Sequence, residues 1–169
     1  MHHELTISQI DDLSVEFIEE LSTLLIDVVQ DGASIGFLPP LEHEVASRYW
    51  YQVLSPEVLL WVVRWKGEVV GSVQLHLCTK QNGQHRAEIA KLMVHPSARR
   101  LGIGRALMEV AEKKAVDEKR TLLVLDTREG DPSNQLYLSL GYQVAGRIPQ
   151  YAQSADGRLD GTVFYYKQL

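Results

Sequence analysis

The segment Lys91-Leu92-Met93-Val94-His95-Pro96-Ser97-Ala98-Arg99-Arg100-Leu101-Gly102-Ile103-Gly104-Arg105 carries three signals in a row. An apolar strand ends in a proline, a basic turn follows with two closely spaced glycines, and an amphipathic helix begins near Ile103. Gly102 and Gly104 lack side chains where a ligand would approach backbone N–H groups. The helix start adds unpaired N–H donors and the positive end of its dipole, a seat for phosphate. Arg99, Arg100 and Arg105 place cationic donors at the same corner. A dinucleotide fold would need a third glycine where Leu107 stands, and the G-x-x-x-x-G-K-[ST] loop of nucleoside triphosphatases is absent.

The rest of the chain bounds the possibilities. Its 169 residues, 45% hydrophobic and 23% charged, suffice for one domain (1–169) with a sizeable core. A net charge of −5 disfavours general nucleic-acid binding and makes the basic cluster at 99–105 stand out. Cys78 is the only cysteine, so an internal disulfide is excluded, and the scattered histidines show no metal-ligand spacing. No apolar run approaches the ~18 residues of a membrane span, and no basic stretch leads into an apolar one at the amino terminus. A cytoplasmic protein is the expectation.

Periodicity predicts a strand at Glu4 to Ile10 and a helix at Leu13 to Val29 with the stripe Val15, Ile18, Leu21, Leu24, Leu25 and Val28. After an apolar loop at 31–40, a second helix spans Leu41 to Leu54, with Leu41, Val45, Tyr49 and Val53 on one face. Strands follow at Val58–Trp65 and Val69–Cys78 around Lys66-Gly67, then a fourth at Arg86–Val94 after Asn82-Gly83. A helix runs from Ile103 to about Lys119. Leu122 to Asp126 reads as a strand buried on both faces. Pro132 to Leu140 is a short helix stopped by Gly141, and Tyr142–Ala145 and Thr162–Lys167 close the chain as strands.

The motif R-x-x-G-x-G at Arg99 to Gly104, after a strand ending in Val94, resembles the acetyl-coenzyme A signature of the GNAT superfamily of N-acetyltransferases. The element order is similar to that family's plan as well. The resemblance implies an α/β (α+β) fold: a central mixed, mostly antiparallel sheet, helices on both faces, and fourth and fifth strands that start parallel and splay. It also implies acetyl-CoA as co-substrate. Backbone of Leu92, Met93 and Val94 would receive the pantetheine arm, and Arg99, Arg100, Leu101, Gly102, Ile103, Gly104 and Arg105 the pyrophosphate. Leu136-Tyr137-Leu138-Ser139-Leu140-Gly141-Tyr142 matches a second family mark, in which the Tyr hydroxyl lies near the coenzyme A sulfur. The Asn often found about seven residues earlier is replaced by Gly130, and Asn134 stands one helical turn before Tyr137. Segments 31–37, 80–83, 86–88, 125–127 and 156–159 look like the tabtoxin-resistance branch of the family, which acetylates a β-lactam dipeptide.

Acetyl transfer to an amine needs a proton acceptor, donors for the thioester oxygen, and a partner for the leaving thiolate. Tyr137 suits the last role. For the base, Glu88 is expected to share one face of its strand with Ala90, Leu92 and Val94, and Asp126 closes an apolar strand. A carboxylate at such an edge is liable to an upward pKa shift. Trp61 and Trp65 read as core, and Tyr151, Tyr165 and Tyr166 are candidates for the acceptor pocket's border. The expectation is an acetyl-CoA-dependent N-acetyltransferase acting on a small-molecule primary amine, such as a tabtoxin-like toxin (a resistance role), with no metal and no nucleic-acid or membrane partner. Alternatives are a protein N-terminus or polyamine as acceptor, or a coenzyme A-binding sensor without catalysis. A homodimer is compatible with the sequence, which leaves the oligomeric state open.

Overall fold

A computed structural model describes residues 5–169; Glu4, the first residue of the expected opening strand, lies outside them. The elements are β1 (Leu5–Ile10), α1 (Val15–Gln30), α2 (His43–Tyr51), β2 (Val58–Trp65), β3 (Glu68–Leu77), β4 (Arg86–Val94), a turn of 3-10 helix (Pro96–Ala98), α3 (Ile103–Asp117), β5 (Leu122–Arg128), α4 (Ser133–Ser139), β6 (Gln143–Gln153) and β7 (Leu159–Gln168). One seven-stranded sheet takes the order β1-β2-β3-β4-β5-β7-β6. All neighbours are antiparallel except β4 and β5. Lys66 and Gly67 both take positive φ (53° and 83°), the geometry of a tight β2–β3 hairpin.

The sheet separates two apolar clusters. On one face α3 and α4 pack Ile103, Leu107, Met108, Ala111, Ala115 and Tyr137 against Trp61, Val73, Ile89, Leu123 and Leu125. On the other, α1 and α2 bury Ile18, Leu21, Leu25, Trp50 and their neighbours over Leu60, Val62 and Met93. α1 starts where Ser14 accepts the Phe17 N–H at 3.2 Å, a side-chain N-cap. Val15, expected in its stripe, faces solvent at 64% exposure. α2 is shorter than its apolar pattern suggested, starting after Glu42 and burying Ala46 and Trp50 while Val45 is exposed. Leu107 is fully buried where α3 crosses the sheet. Leu107→Ala should cost about 2–5 kcal/mol, a large share of a typical domain's stability, read as a lower denaturant midpoint with unchanged slope.

Two strands differ from expectation in ways that matter for the site. β5 is buried on one face only: Leu123 and Leu125 enter the α3–α4 core, while Asp126 on the other face is exposed. α1 and α2 pack over β2, β3 and β4, which leaves that face of β5 open. β6 is far longer than Tyr142–Ala145, running to Gln153 through register breaks between Val144 and Gly146 and between Ile148 and Ala152. It is an edge strand, exposed along nearly its whole length, so it needs no apolar alternation and tolerates Pro149.

Candidate active site

β4 and β5 pair for three residues only, Arg86 with Leu122, Ala87 with Leu123 and Glu88 with Val124. Beyond that both strands continue on their other partners, β4 along β3 to Val94 and β5 along β7 to Arg128. The sheet is therefore split from residue 89 of β4 onward, leaving the β5-facing backbone edge of Leu92, Met93 and Val94 outside any ladder. A thin, amide-bearing chain can use such an edge as an added strand does.

At the end of the split lies the turn into α3. Gly102 is the N-cap with φ 76°, and a Cβ there would meet nothing within 4 Å. The backbone N–H groups of Ile103, Gly104 and Arg105 form the first turn, without a side-chain cap. Gly104 has a different reason to be glycine: a Cβ there would lie 3.3 Å from Leu136 Cδ2, so it lets α3 and α4 close together. Arg99 pairs with Asp31 (2.7 Å), Arg105 donates to Ser139 Oγ (2.6 Å), and Arg100 is exposed in a left-handed conformation (φ 63°). His95 binds Asp27 of α1 through Nε2 (2.9 Å) and Ser97 through Nδ1, which braces this turn. The open cradle, free N–H groups and nearby guanidinium groups fit a pyrophosphate.

The split also joins the two faces of the sheet. Tyr137 lies on the α3–α4 side, buried at 6% exposure against Tyr142 and Tyr165 (ring centroids 5.9 and 5.8 Å away). Burial pushes its hydroxyl pKa well up, and the Asp126 charge adds to that, so the phenol stays protonated. Tyr165 spends its own hydroxyl on Asn134 Oδ1 (2.7 Å), and is a core residue rather than a pocket border. Asn134 also donates to the carbonyls of Arg128 and Asp131, so its side chain is committed to the start of α4.

Glu88 and Asp126 approach from the opposite face. Thr162 Oγ1 donates to Asp126 Oδ2 at 2.8 Å, which orients that carboxylate. Phe164 is its register partner on β7, stacked edge-on with Tyr151 at 5.9 Å. Loss of water around Glu88 raises its pKa, the Asp126 charge raises it further, and Lys91 opposes both. The expected sharing of a face by Glu88, Leu92 and Val94 does not hold. A bulge sets Lys91 and Leu92 opposite Val73, with Lys91 at φ 56°. It reverses the alternation, so Leu92 and Val94 turn to the α3–α4 core while Met93 joins the α1–α2 cluster.

Three polar residues beside these carboxylates escaped the sequence reading. Lys91 is half-buried and donates to the Ile35 carbonyl at 2.6 Å. His76 is the cross-strand partner of Glu88, its pKa lowered by burial and by Lys91. Gln74, buried, donates to the Tyr49 hydroxyl (2.7 Å) and faces His76 Nε2 (2.8 Å), so neutral His76 keeps Nδ1 as its free acceptor. Strand alternation from Gln74 to His76 was the available signal. Among the described residues no group of three His, Cys, Asp or Glu could hold a metal ion, and no helix is long and apolar enough to cross a membrane.

Comparison with known proteins settles the family. The model of the GNAT family of acetyltransferases matches residues 18–142. An N-acetyltransferase of Azospirillum brasilense, uncharacterized and encoded between hisH and hisA, is 33% identical over 129 residues, covering 75% of this chain and 77% of that protein. The chain belongs to the GNAT family of acetyltransferases. Two solved structures share the fold of this acetyltransferase. The ribosomal-protein-alanine N-acetyltransferase of Brucella melitensis aligns with TM-score 0.81 and 22% identity, over 97% of this chain and 99% of that one. A putative acetyltransferase of Salmonella typhimurium, solved with its cofactor acetyl-CoA, gives 0.79 and 19% over 98% and 94%. Acetyl-CoA is the family's acetyl donor, and the split sheet with its phosphate-fitting turn suits it.

Proposed function

We propose that this acetyltransferase moves the acetyl group of acetyl-CoA to the primary amine of a small amino-acid-like or peptide-like molecule, of which a tabtoxin-like dipeptide is one example. The observation that supports this reading is the split between β4 and β5, with Tyr137 in the core on one face of the sheet and Glu88 and Asp126 on the other. Acetyl-CoA supplies an activated acyl carbon and a thiolate leaving group. Leu92, Met93 and Val94 bind the pantetheine amides through their backbone, and the turn from Arg99 to Arg105 holds the pyrophosphate. On the far side, Glu88 and Asp126 bind the acceptor as an ammonium and take its proton, directly or through water. The freed nitrogen then forms the amide bond as the carbon–sulfur bond breaks, and the Tyr137 hydroxyl donates to the departing sulfur.

A cleft at the far end of β5, where Arg128 lies two residues past Asp126, supports this class of acceptor. It measures about 400 Å³ and is lined by Asp31, Arg128, Asp131, Asp156, Arg158 and Asp160 among others. Four of its five acids face a guanidinium, Asp31 with Arg99, Glu129 with Arg147, Asp131 with Arg128 and Asp156 with Arg158, while Asp160 accepts from the Ser154 hydroxyl. A polyamine carries further ammonium groups and would need unpaired carboxylates along the cleft beyond Glu88 and Asp126, whereas a zwitterion suits walls that carry both signs. Thiol release from acetyl-CoA, followed over a panel of amines, tests this. Amino acids and dipeptides should give the highest kcat/KM; a polyamine or an alanine-terminated peptide at the top of the panel would overturn it.

The cofactor seat has its own test. Gly102→Asp puts a carboxylate in open space at the α3 N-cap, in a conformation Asp tolerates better than most residues. A carboxylate at an N-cap favours the helix, so the fold should survive. That carboxylate repels the pyrophosphate and competes with it for the helix N–H groups, which should weaken acetyl-CoA binding by about tenfold or more. Unchanged affinity by calorimetry in the folded variant would remove the phosphate from this turn.

A further inference from the structure

Lys91 is held in a position that ordinary strand packing does not explain. It sits at the β4 bulge with φ 56°, a backbone region costly for a residue with a side chain. Its ammonium is half-buried under the loop between α1 and α2, bonded to the Ile35 carbonyl at 2.6 Å and 5.8 Å from the centre of the Phe37 ring. Glycine at 36 leaves room for the ammonium, since a Cβ there would lie 3.0 Å from Lys91 Nζ. Without the bulge this residue would alternate toward α3; with it, the ammonium shares a face with Glu88, the carboxylate of Asp126 on β5, and His76 on β3.

We propose that Lys91 is a positioning residue of the acceptor site: it pins the α1–α2 loop as a wall of the cleft and sets a positive charge toward Glu88 and Asp126. The proposal rests on those two carboxylates lying on the acceptor side. The charged and titratable groups around it are Glu88 on its own strand, Asp126 on β5 and His76 on β3; the loop contributes the Ile35 carbonyl and Phe37 ring, and α2 contributes Tyr49, whose hydroxyl is taken by Gln74. A positive charge there favours ionised carboxylates, which an incoming ammonium requires. One side chain therefore couples the shape of the pocket to the protonation state of its base. The long Lys stem lets the charge reach under the loop from a strand whose backbone serves the other substrate.

Lys91→Met removes both effects, whereas Lys91→Gln removes the charge and keeps an N–H donor on a side chain one bond shorter. In Lys91→Met, deuterium exchange at residues 34–37 should quicken, acceptor KM should rise about tenfold or more, and the acidic limb of kcat should move up by about one pH unit. Acetyl-CoA affinity should hold. Lys91→Gln should move the limb with loop exchange between that of wild type and Lys91→Met, and Lys91→Arg should restore the limb. An unmoved limb in both neutral variants, or native acceptor KM and loop exchange in Lys91→Met, would overturn the assignment. The exchange readout is independent of activity, so it still decides the pinning role if Glu88→Gln and Asp126→Asn prove fully active and the carboxylate reading fails.

Discussion

Tyr137→Phe is expected to lower kcat by about 10- to 1,000-fold while leaving the fold and acetyl-CoA affinity intact. The range is that of removing one donor from a developing negative charge. Phenylalanine fills the same space between Tyr142 and Tyr165, so packing is conserved. The raised pKa of the phenol fixes what the variant removes. A thiol titrates near ~8.5 and an ordinary tyrosine near ~10, so complete transfer from a still weaker acid is uphill. In the proposed reaction Tyr137 is therefore a hydrogen-bond donor to the sulfur, with the net proton arriving later. Steady-state kinetics beside calorimetry check this; native turnover in Tyr137→Phe would return the residue to core packing.

The second large effect concerns the carboxylate pair. Glu88→Gln and Asp126→Asn should each lower kcat by about 10²- to 10⁴-fold at neutral pH, the usual contribution of a proton acceptor. Their pH profiles should differ in sign. Asp126 raises the Glu88 pKa, so Asp126→Asn lets it fall and the acidic limb moves to lower pH. Lys91→Met, which removes an opposing positive charge, moves it the other way. Stability gives an independent sign. Glu88 has its pKa raised in the folded protein, so its ionisation destabilises the fold above the unfolded value near 4.5, and the penalty is relieved as pH falls through the raised pKa. Glu88→Gln should thus melt at or above the wild-type temperature at pH 7. A purely structural carboxylate would show the reverse: a lower melting temperature with full turnover per folded molecule.

The sequence announced those parts of the architecture that carry a local pattern. The glycine turn before α3, the Lys66-Gly67 hairpin and the apolar stripe of α1 each have a steric or periodic cause visible in one dimension. The parallel start and later splay of β4 and β5 came through the resemblance, since nothing in either strand marks where pairing stops at Glu88 and Val124. The β4 bulge was invisible for a physical reason. Its left-handed residue is Lys91, with no Gly or Asn to signal it, and the loop bond to Ile35 that accompanies it joins positions far apart in the chain. Missing the bulge put Leu92 and Val94 on the wrong face and hid Lys91 among ordinary strand charges. β6 was underestimated because an edge strand exposed along nearly its whole length has no inside to alternate against.

In the proposed reaction both substrates meet across the split sheet, the sulfur on the Tyr137 side and the amine on the side of Glu88 and Asp126. A crystal structure of the protein with coenzyme A and an unreactive acceptor analogue measures this directly. The expected result is pantetheine amides bonded to the β4 backbone between Leu92 and Val94, pyrophosphate on the N–H groups after Gly102, and the sulfur within hydrogen-bond reach of the Tyr137 hydroxyl. Pantetheine lying outside the β4–β5 split, or a sulfur remote from Tyr137 with the acceptor away from both carboxylates, would contradict it.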